Sequence, residues 1–321
     1  MWLVTGGAGY IGAHVVRHIR ATERSVSVLD DLSTGDAARL PDDVELHVGR
    51  IDDRDFVRAA LVGVEGVIHL AARKDVAESV ARPIWYQQEN VTGLAVLLES
   101  MHEGGVGRIV FSSSAAVYGE PLGRRIDESA RCEPLNPYGR TKLAGEWLIA
   151  DQCAATGLGA TALRYFNVAG CDEPALAERS GNNLIPLVLA GLMAGQEPRV
   201  FGRDYPTPDG TCVRDFIHVG DLAEAHVVAV QELESREGQA HMEVFNVGTG
   251  SGYSVLEVLQ SVSRVTGRPI SPVWDPRRPG DPAQVVADPT LIGDRLDWHA
   301  QHDLDAMVRS SWEGMLAPVK E

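Results

Sequence analysis

The chain has 321 residues, of which 44% are hydrophobic and 23% charged. It is too long for a disulfide-stapled mini-protein and too apolar for a disordered chain. With 29 basic and 45 acidic residues the formal net charge is −16, which argues against nucleic acid or an anionic membrane as partner. A small anionic ligand stays compatible, because a few nearby cations override a distant net charge.

Length points to two domains, or to one large domain with a cap. Cys132, Cys153, Cys171 and Cys212 are widely spaced and form no C-x-x-C, so they read as reduced thiols of a cytoplasmic protein. No apolar run approaches the roughly 20 residues that span a bilayer. No basic leader precedes the first strand, so a signal peptide is not expected. Only three residues are lysines, Lys74, Lys142 and Lys320.

Trp2-Leu3-Val4-Thr5 predicts a short apolar strand, cut by Gly6-Gly7-Ala8-Gly9 and followed by helical periodicity over 11–19. A second strand over 26–29 ends at Asp30-Asp31. Residues 44–48 predict another, followed by a helix over 53–61. Gly66-Val67-Ile68-His69-Leu70 reads as a buried strand, and Pro83 stands near the start of a helix reaching about 103. The strand at 108–111 ends in Ser112-Ser113-Ser114. A helix over about 137–156 leads into a strand at 160–165. Continuous apolar strands alternating with helices predict an α/β fold whose parallel sheet is covered on both faces. Past Asn167 the chain turns irregular and rich in Gly and Pro. The expected domains are therefore 1–167 and a smaller C-terminal cap over 168–321, with about 213–235 returning to the first. No internal repeat or low-complexity tract is present.

Gly6-x-x-Gly9-x-x-Gly12 lies between the first strand and the first helix. Glycines there let a tight turn bring backbone N–H groups against a pyrophosphate at a helix N-terminus, the signature of a Rossmann-type, doubly wound sheet. Asp30, 18 residues after Gly12, ends the second strand. A carboxylate at that place accepts hydrogen bonds from ribose hydroxyls and repels a 2′-phosphate. No Arg or Lys occurs between Asp31 and Ala38, so NAD is expected rather than NADP.

Tyr138 and Lys142 stand four apart, on one helical face. With 7 Tyr and 3 Lys in 321 residues, a Tyr-x-x-x-Lys is expected by chance only about 0.07 times. A free phenol, with pKa about 10, is a poor base at neutral pH. A nearby ammonium and a positive nicotinamide ring both favour the phenolate and should lower that pKa. Ser114, at a strand end, could bridge the phenol and a substrate hydroxyl. His14 and His18 have metal-pair spacing but no third ligand, so a solvated helix face is expected and no metal. His69 reads as a hydrogen-bonded core histidine.

The glycine turn, Ser112-Ser113-Ser114 and Tyr138-x-x-x-Lys142, in that order, resemble the extended short-chain dehydrogenase/reductase superfamily. Within it the similarity is to UDP-glucose (UDP-galactose) 4-epimerases and covers nearly the whole chain. It is carried by Thr5 to Gly12, Val117-Tyr118-Gly119, Arg164-Tyr165-Phe166-Asn167, Asn182-Asn183-Leu184, Phe201 to Thr207 and Val213 to Val219. The resemblance implies a UDP-hexose 4-epimerase with tightly bound NAD. Tyr138 would take the proton of the sugar 4-hydroxyl, Lys142 would hold the nicotinamide ribose, and Ser114 would relay the proton. Implied cofactor contacts are Gly6, Gly9, Tyr10, Ile11, Gly12, Asp30, Asp31, Lys74, Asn90, Ser112, Tyr138, Lys142 and Tyr165. Implied substrate contacts are Ser114, Tyr138, Asn167, Asn183, Leu184, Val200, Phe201, Arg214, Arg278, Asp281 and Val285. A homodimer is also implied. The apolar positions of the 83–103 and 137–156 helices read either as its seam or as packing against the sheet.

Two departures stand out. Arg50 occupies a position where the family usually has an Asp reaching adenine, with Asp52 as a possible substitute. Val285 replaces a bulky Tyr, leaving room for a 2-acetamido group and hence for N-acetylhexosamines; a modified or hexuronic UDP-sugar is the alternative. A 4,6-dehydratase needs carboxylates before Val117, and Ser114, Ala115 and Ala116 stand there instead. A non-catalytic NAD-sensing regulator has no use for Tyr138, Lys142 and Ser114 together.

Overall fold

Parallel strands buried on both faces are mostly apolar, and in the first strands the exceptions are Ser27 and the strand-end residues Thr5, Asp30 and His69. Trp2–Thr5 (β1), Val26–Asp30 (β2) and Gly66–His69 (β4) are buried at every residue, while Glu45–Val48 (β3) is a partly exposed edge. With Arg108–Ser112 (β5) and Gly159–Tyr165 (β6) they form one sheet in the order β6-β5-β4-β1-β2-β3, and the strand His241–Val247 adds outside β6. The neighbours from β1 to β6 all run parallel, with Trp2 opposite Val26 on one side and Gly66 on the other. Strand order reverses between β1 and β4. The C-terminal ends at such a switch point are where an open α/β sheet takes its ligand. The computed structural model describes residues 1–120, 123, 125–179, 183–236, 240–278 and 280–318; Asn182 and Lys320 lie outside them.

Helices begin where the sequence offers a cap. Asp53 accepts from Phe56 N at the head of Arg54–Ala60, and Asn136 accepts from Gly139 N at the head of Pro137–Thr156, whose Pro stands in the first turn. Numbering them along the chain gives Tyr10–Ala21 (α1), Arg54–Ala60 (α2), Val76–Ala81 (α3), Pro83–Gln87 (α4), Gly93–Gly104 (α5) and Pro137–Thr156 (α6). The helix expected over 83–103 is continuous but not regular: Gln88–Thr92 forms a π turn between α4 and α5. The wider turn accompanies the burial of Asn90, whose amide bonds Arg73 N, Arg73 O and Thr141 Oγ1 at 2.8, 2.9 and 3.0 Å. Leu94, Leu97 and Met101 of α5 join Ile109 and Phe111 of β5 and Ile149 of α6 in one apolar core. The solvated face expected for His14 is corrected: its side chain is fully buried, with Nδ1 2.8 Å from Tyr10 O.

The described residues form two discontinuous compact units. One comprises Met1–Gly119, Arg131–Arg164 and Ala223–Phe245; the other comprises Glu120–Ala130, Tyr165–Leu222 and Asn246–Glu321. The chain thus passes between units several times, whereas a boundary after 167 and a return over about 213–235 were expected. The helix Val219–Ser235 itself carries the chain from the second unit back to the first.

In the second unit Asn167–Ala169 (β7), Arg199–Phe201 (β8) and Val213–His218 (β9) are short, and β9 is the hub. It pairs in parallel with β7 and with Gln284–Val285, and antiparallel with Gly252–Ser254. Asp215 fastens the hub. Its carboxylate accepts from Thr249 N and Oγ1, Gly250 N and Ala287 N at 2.9, 2.8, 2.9 and 3.1 Å. Burial outweighs those bonds and pushes this carboxyl up to about 6. A carboxyl raised on folding stabilises the fold below its unfolded value and loses that contribution as pH rises through its folded one. Denaturant unfolding at pH 7 and pH 5 should therefore show the wild type gaining about 1 kcal/mol relative to Asp215→Asn at the lower pH. An unchanged difference would show that Asp215 is charged in the folded protein throughout.

Candidate active site

The glycine turn closes against β2, with Gly6 N donating to Leu29 O at 2.8 Å and Gly9 N to Gly6 O at 3.1 Å. A Cβ on Gly12 would come within 2.2 Å of Gly6 O, so only glycine lets helix and turn pack here. No side chain caps the N-terminus of α1 and its first turn carries no acid. The helix dipole and the first N–H groups, with Tyr10, Ile11 and Gly12 among them, are thus left for an anion. At the end of β2 the buried Asp30 accepts from Ala8 N at 3.0 Å and Leu32 N at 2.9 Å, with burial raising its carboxyl above the ordinary range. These residues fit a dinucleotide.

Beyond Asp30 a chain of ion pairs runs along the rim. Asp31 meets Arg73 at 3.5 Å, Arg73 meets Glu89 at 3.2 Å, and Arg50 reaches both Glu89 and Asp52 at 2.8 Å. Burial raises the Asp31 carboxyl, but hydrogen bonds from Ser33 and the charge of Arg73 leave it below its ordinary value. Asp52 receives two bonds from Arg50, at 2.9 and 2.8 Å, so it is already engaged and is a poor substitute for an adenine-reading carboxylate. Lys74 is exposed beside Arg73, and Asn90 pins the Arg73 backbone.

The catalytic candidates come together where β5 ends against the first turns of α6. Tyr138 is 9% and Lys142 3% exposed. Tyr138 is hydrogen-bonded to Ser114, whose Oγ also accepts from Ala116 N at 3.2 Å. Lys142 Nζ donates to Ser112 O at 2.7 Å and lies 6.0 Å from the centre of the Tyr138 ring. Burial brings the Lys142 ammonium down to about 7, against the pull of Glu146. Burial likewise raises the Tyr138 phenol, while the Ser114 bond works against it. The lowering expected for this phenol is thus not supplied by the protein alone.

Sequence reasoning did not single out what lies one turn further along α6. Glu146 is buried and bidentate to Arg164, at 2.9 and 2.6 Å, and Ser113 Oγ donates to it. The signal was available, since Tyr138, Lys142 and Glu146 recur every four residues.

The second unit holds the candidate substrate residues. Arg214 and Val285 are register partners on adjacent strands. Arg278 stacks 3.7 Å over the Phe201 ring, while Arg277 is taken by Asp204 at 2.6 Å. Asn183 starts the helix Leu184–Met193 (α7) with its backbone, and its side chain makes no cap bond. Leu184 packs on that unit's core and Val200, 1% exposed, belongs to it, so Val200 offers a ligand only backbone. Asp281 is half-buried, with its N–H 3.3 Å from Arg278 O, whereas Asn167 is exposed on β7 and Tyr165 half-buried at the end of β6. Among the described residues no group of three or more His, Cys, Asp or Glu could hold a metal ion, and no helix is long and apolar enough to cross a membrane.

The arrangement has close relatives. A UDP-glucose 4-epimerase of Streptomyces lividans is 46% identical over 317 residues, covering 97% of this chain and 95% of the relative. The crystal structure of UDP-glucose-4-epimerase from Stenotrophomonas maltophila, with bound NAD and formylated UDP-arabinopyranose, is 40% identical with a TM-score of 0.91. It covers 98% of this chain and 97% of that one. A UDP-Glc/GlcNAc 4-epimerase of Campylobacter jejuni is 35% identical with a TM-score of 0.85, covering 98% of both chains. Residues 2–248 match the NAD dependent epimerase/dehydratase family, and the chain belongs to it.

Proposed function

We propose that the protein is an NAD-dependent UDP-hexose 4-epimerase, acting on UDP-glucose and UDP-galactose. The observation that carries this reading is the buried Tyr138–Ser114 hydrogen bond beside an ammonium fixed 2.7 Å from Ser112 O. Bound NAD supplies reversible acceptance of the C4 hydride, which leaves a transient 4-keto sugar. The α1 N-terminus with Gly6, Gly9 and Gly12 would hold its pyrophosphate, Asp30 the adenosine ribose and Lys142 the nicotinamide ribose. Tyr138 takes the 4-hydroxyl proton and later returns it, with Ser114 bridging phenol and sugar. Because burial raises the phenol, proton removal depends on positive charge nearby. The Lys142 ammonium supplies part of it, 6.0 Å from the centre of the Tyr138 ring, and bound NAD would add the positive charge of its oxidised ring. Asn183, Arg214 and Arg278 hold the UDP, with Asp281 on a ribose hydroxyl and Phe201 beside the uracil. The hexose is gripped loosely enough to present either face.

Val285, half-buried on the strand beside Arg214, supports acceptance of a 2-acetamido group as well. The protein acts in the cytoplasm, a reading supported by four free thiols. It works as a homodimer through the outer face of α3, α4 and α6, where Val80, Ile84 and Trp147 are 63%, 71% and 63% exposed. Single exposed apolar residues are ordinary, but three large ones on neighbouring helices favour a covered surface.

Incubated with UDP-glucose and no added NAD, the purified protein should form UDP-galactose. Tyr138→Phe should lower kcat by about 10²–10⁴-fold. A panel of UDP-sugars yielding no C4 epimer, with NAD shown to be bound, would overturn the reading. Val285→Tyr should cost turnover of UDP-N-acetylglucosamine at least about tenfold more than that of UDP-glucose, since a clash with one acetamido group is worth at least a kcal/mol or so. Equal effects on the two sugars would remove the case for the larger substrate. Light scattering should find a dimer for the wild type and a monomer for Trp147→Glu; an unshifted mass would place the contact elsewhere.

A further inference from the structure

Three consecutive serines at the end of β5 each meet α6 differently. Ser112 offers its carbonyl to Lys142 at 2.7 Å, Ser114 bonds Tyr138, and Ser113, fully buried, donates through Oγ to Glu146. Glu146 stands one turn beyond Lys142 and is 4% exposed. Its carboxylate is gripped by Arg164 from β6 at 2.9 and 2.6 Å, and Arg164 also donates to Tyr118 O–H at 3.0 Å. Every member of this network lies in one compact unit.

A buried ion pair is a poor way to gain stability. Desolvating both charges offsets most of their attraction, and an apolar pair of the same volume often does as well. What the pair does supply is a fixed negative charge at a set depth along α6, next to the ammonium that donates to Ser112 O. Resting on the epimerase reading, we propose that Glu146 is a positioning residue: clamped by Arg164, it locks the serine strand end to α6 and keeps Lys142 charged beside Tyr138.

The groups around Lys142 are consistent with this. Tyr138 and Glu146 face it from α6, and His69 lies on β4, hydrogen-bonded to Thr5 and held neutral by burial, its ring brought down to about 3. Arg164 on β6, with Tyr118 and Cys132, faces Glu146 from the far side. Glu146 is thus the one carboxylate acting on Lys142 among these groups, and its charge works against the burial that discharges the ammonium.

The test is the pH dependence of kcat and KM on UDP-glucose between pH 6 and 10, for the wild type, Glu146→Gln, Glu146→Asp and the neutral pair Glu146→Gln/Arg164→Met. In Glu146→Gln the ammonium, which burial brings down to about 7 in the wild type, should be lost at lower pH, so the ratio of kcat at pH 8 to kcat at pH 6 should fall about fivefold relative to wild type for one unit of displacement. KM should change less than about threefold, as expected for a residue that leaves ground-state binding alone. Glu146→Asp should move the profile back towards wild type, and the neutral pair should be displaced in the direction of Glu146→Gln. Should Glu146→Gln fail to fold, the neutral pair decides. A profile that keeps its wild-type position in the folded variants, however low the rate, overturns the inference, and so does failure of both to fold, since the pair then serves the fold alone. A wild type that epimerises nothing overturns instead the reading on which the inference rests.

Discussion

The constraint on which the candidate site depends is the burial of an ammonium. Lys142 is 3% exposed, and a desolvated cation survives only with oxygens and countercharge close by. The oxygen is the Ser112 carbonyl, so α6 must sit at one height relative to the end of β5. That height is reached because Asn136 and Pro137 start the helix there, and because Gly139 lets it lie tightly against the turn after β5. A Cβ on Gly139 would stand 2.5 Å from Ala116 O. Ser114 is carried by the same turn, so the contact that seats Lys142 also brings the serine hydroxyl to Tyr138. Countercharge comes from the next turn of α6, where Glu146 is held by Arg164.

Charge is handled differently at the two ends of the first unit. Beyond Asp30 runs a chain of ion pairs, Asp31–Arg73–Glu89–Arg50–Asp52, in which three carboxylates share two guanidiniums. With Asp30 adjoining, the rim carries excess negative charge, which disfavours a 2′-phosphate there. Arg50 thereby loses its apparent oddity. It does not replace an adenine-reading carboxylate but neutralises two that would otherwise repel each other. The outer pair Arg50–Asp52 is exposed and contributes little stability, whereas Arg73 and Glu89 are largely buried.

What could be read from the sequence was what local rules determine. The glycine turn, the capped start of α6 and the Tyr138–Lys142 face are each set within a few residues, and the helix over 137–156 stands where its Asn-Pro start and Gly157 end put it. The π turn at Gln88–Thr92 was not legible, because it accompanies a long-range contact: Asn90 must reach Thr141, 51 residues away. His14 was misread for a related reason, since a polar side chain is placed outside by composition and inside by a hydrogen bond to the preceding turn. Glu146 was within reach by spacing, but its meaning lies in Arg164, which only the pairing of β5 with β6 brings alongside.

The tyrosine shows why the two kinds of information must be combined. From spacing, an ammonium four residues away ought to lower the phenol; within the folded protein burial dominates and raises it. Lys142 cannot correct this alone, because the same burial brings its own ammonium down to about 7. A base that is weak until a positive ring arrives has a consequence for an epimerase. In the proposed reaction bound NAD would supply a positive ring in its oxidised form, so Tyr138 would be the stronger base at the outset, and in the reverse step it would give its proton to the more basic C4 oxygen of the sugar. Such a base would let proton and hydride leave the sugar together and return to it together. Such coupling works only if Lys142 remains charged in both halves, and a fixed, buried carboxylate one turn away is the means the fold has for keeping it so.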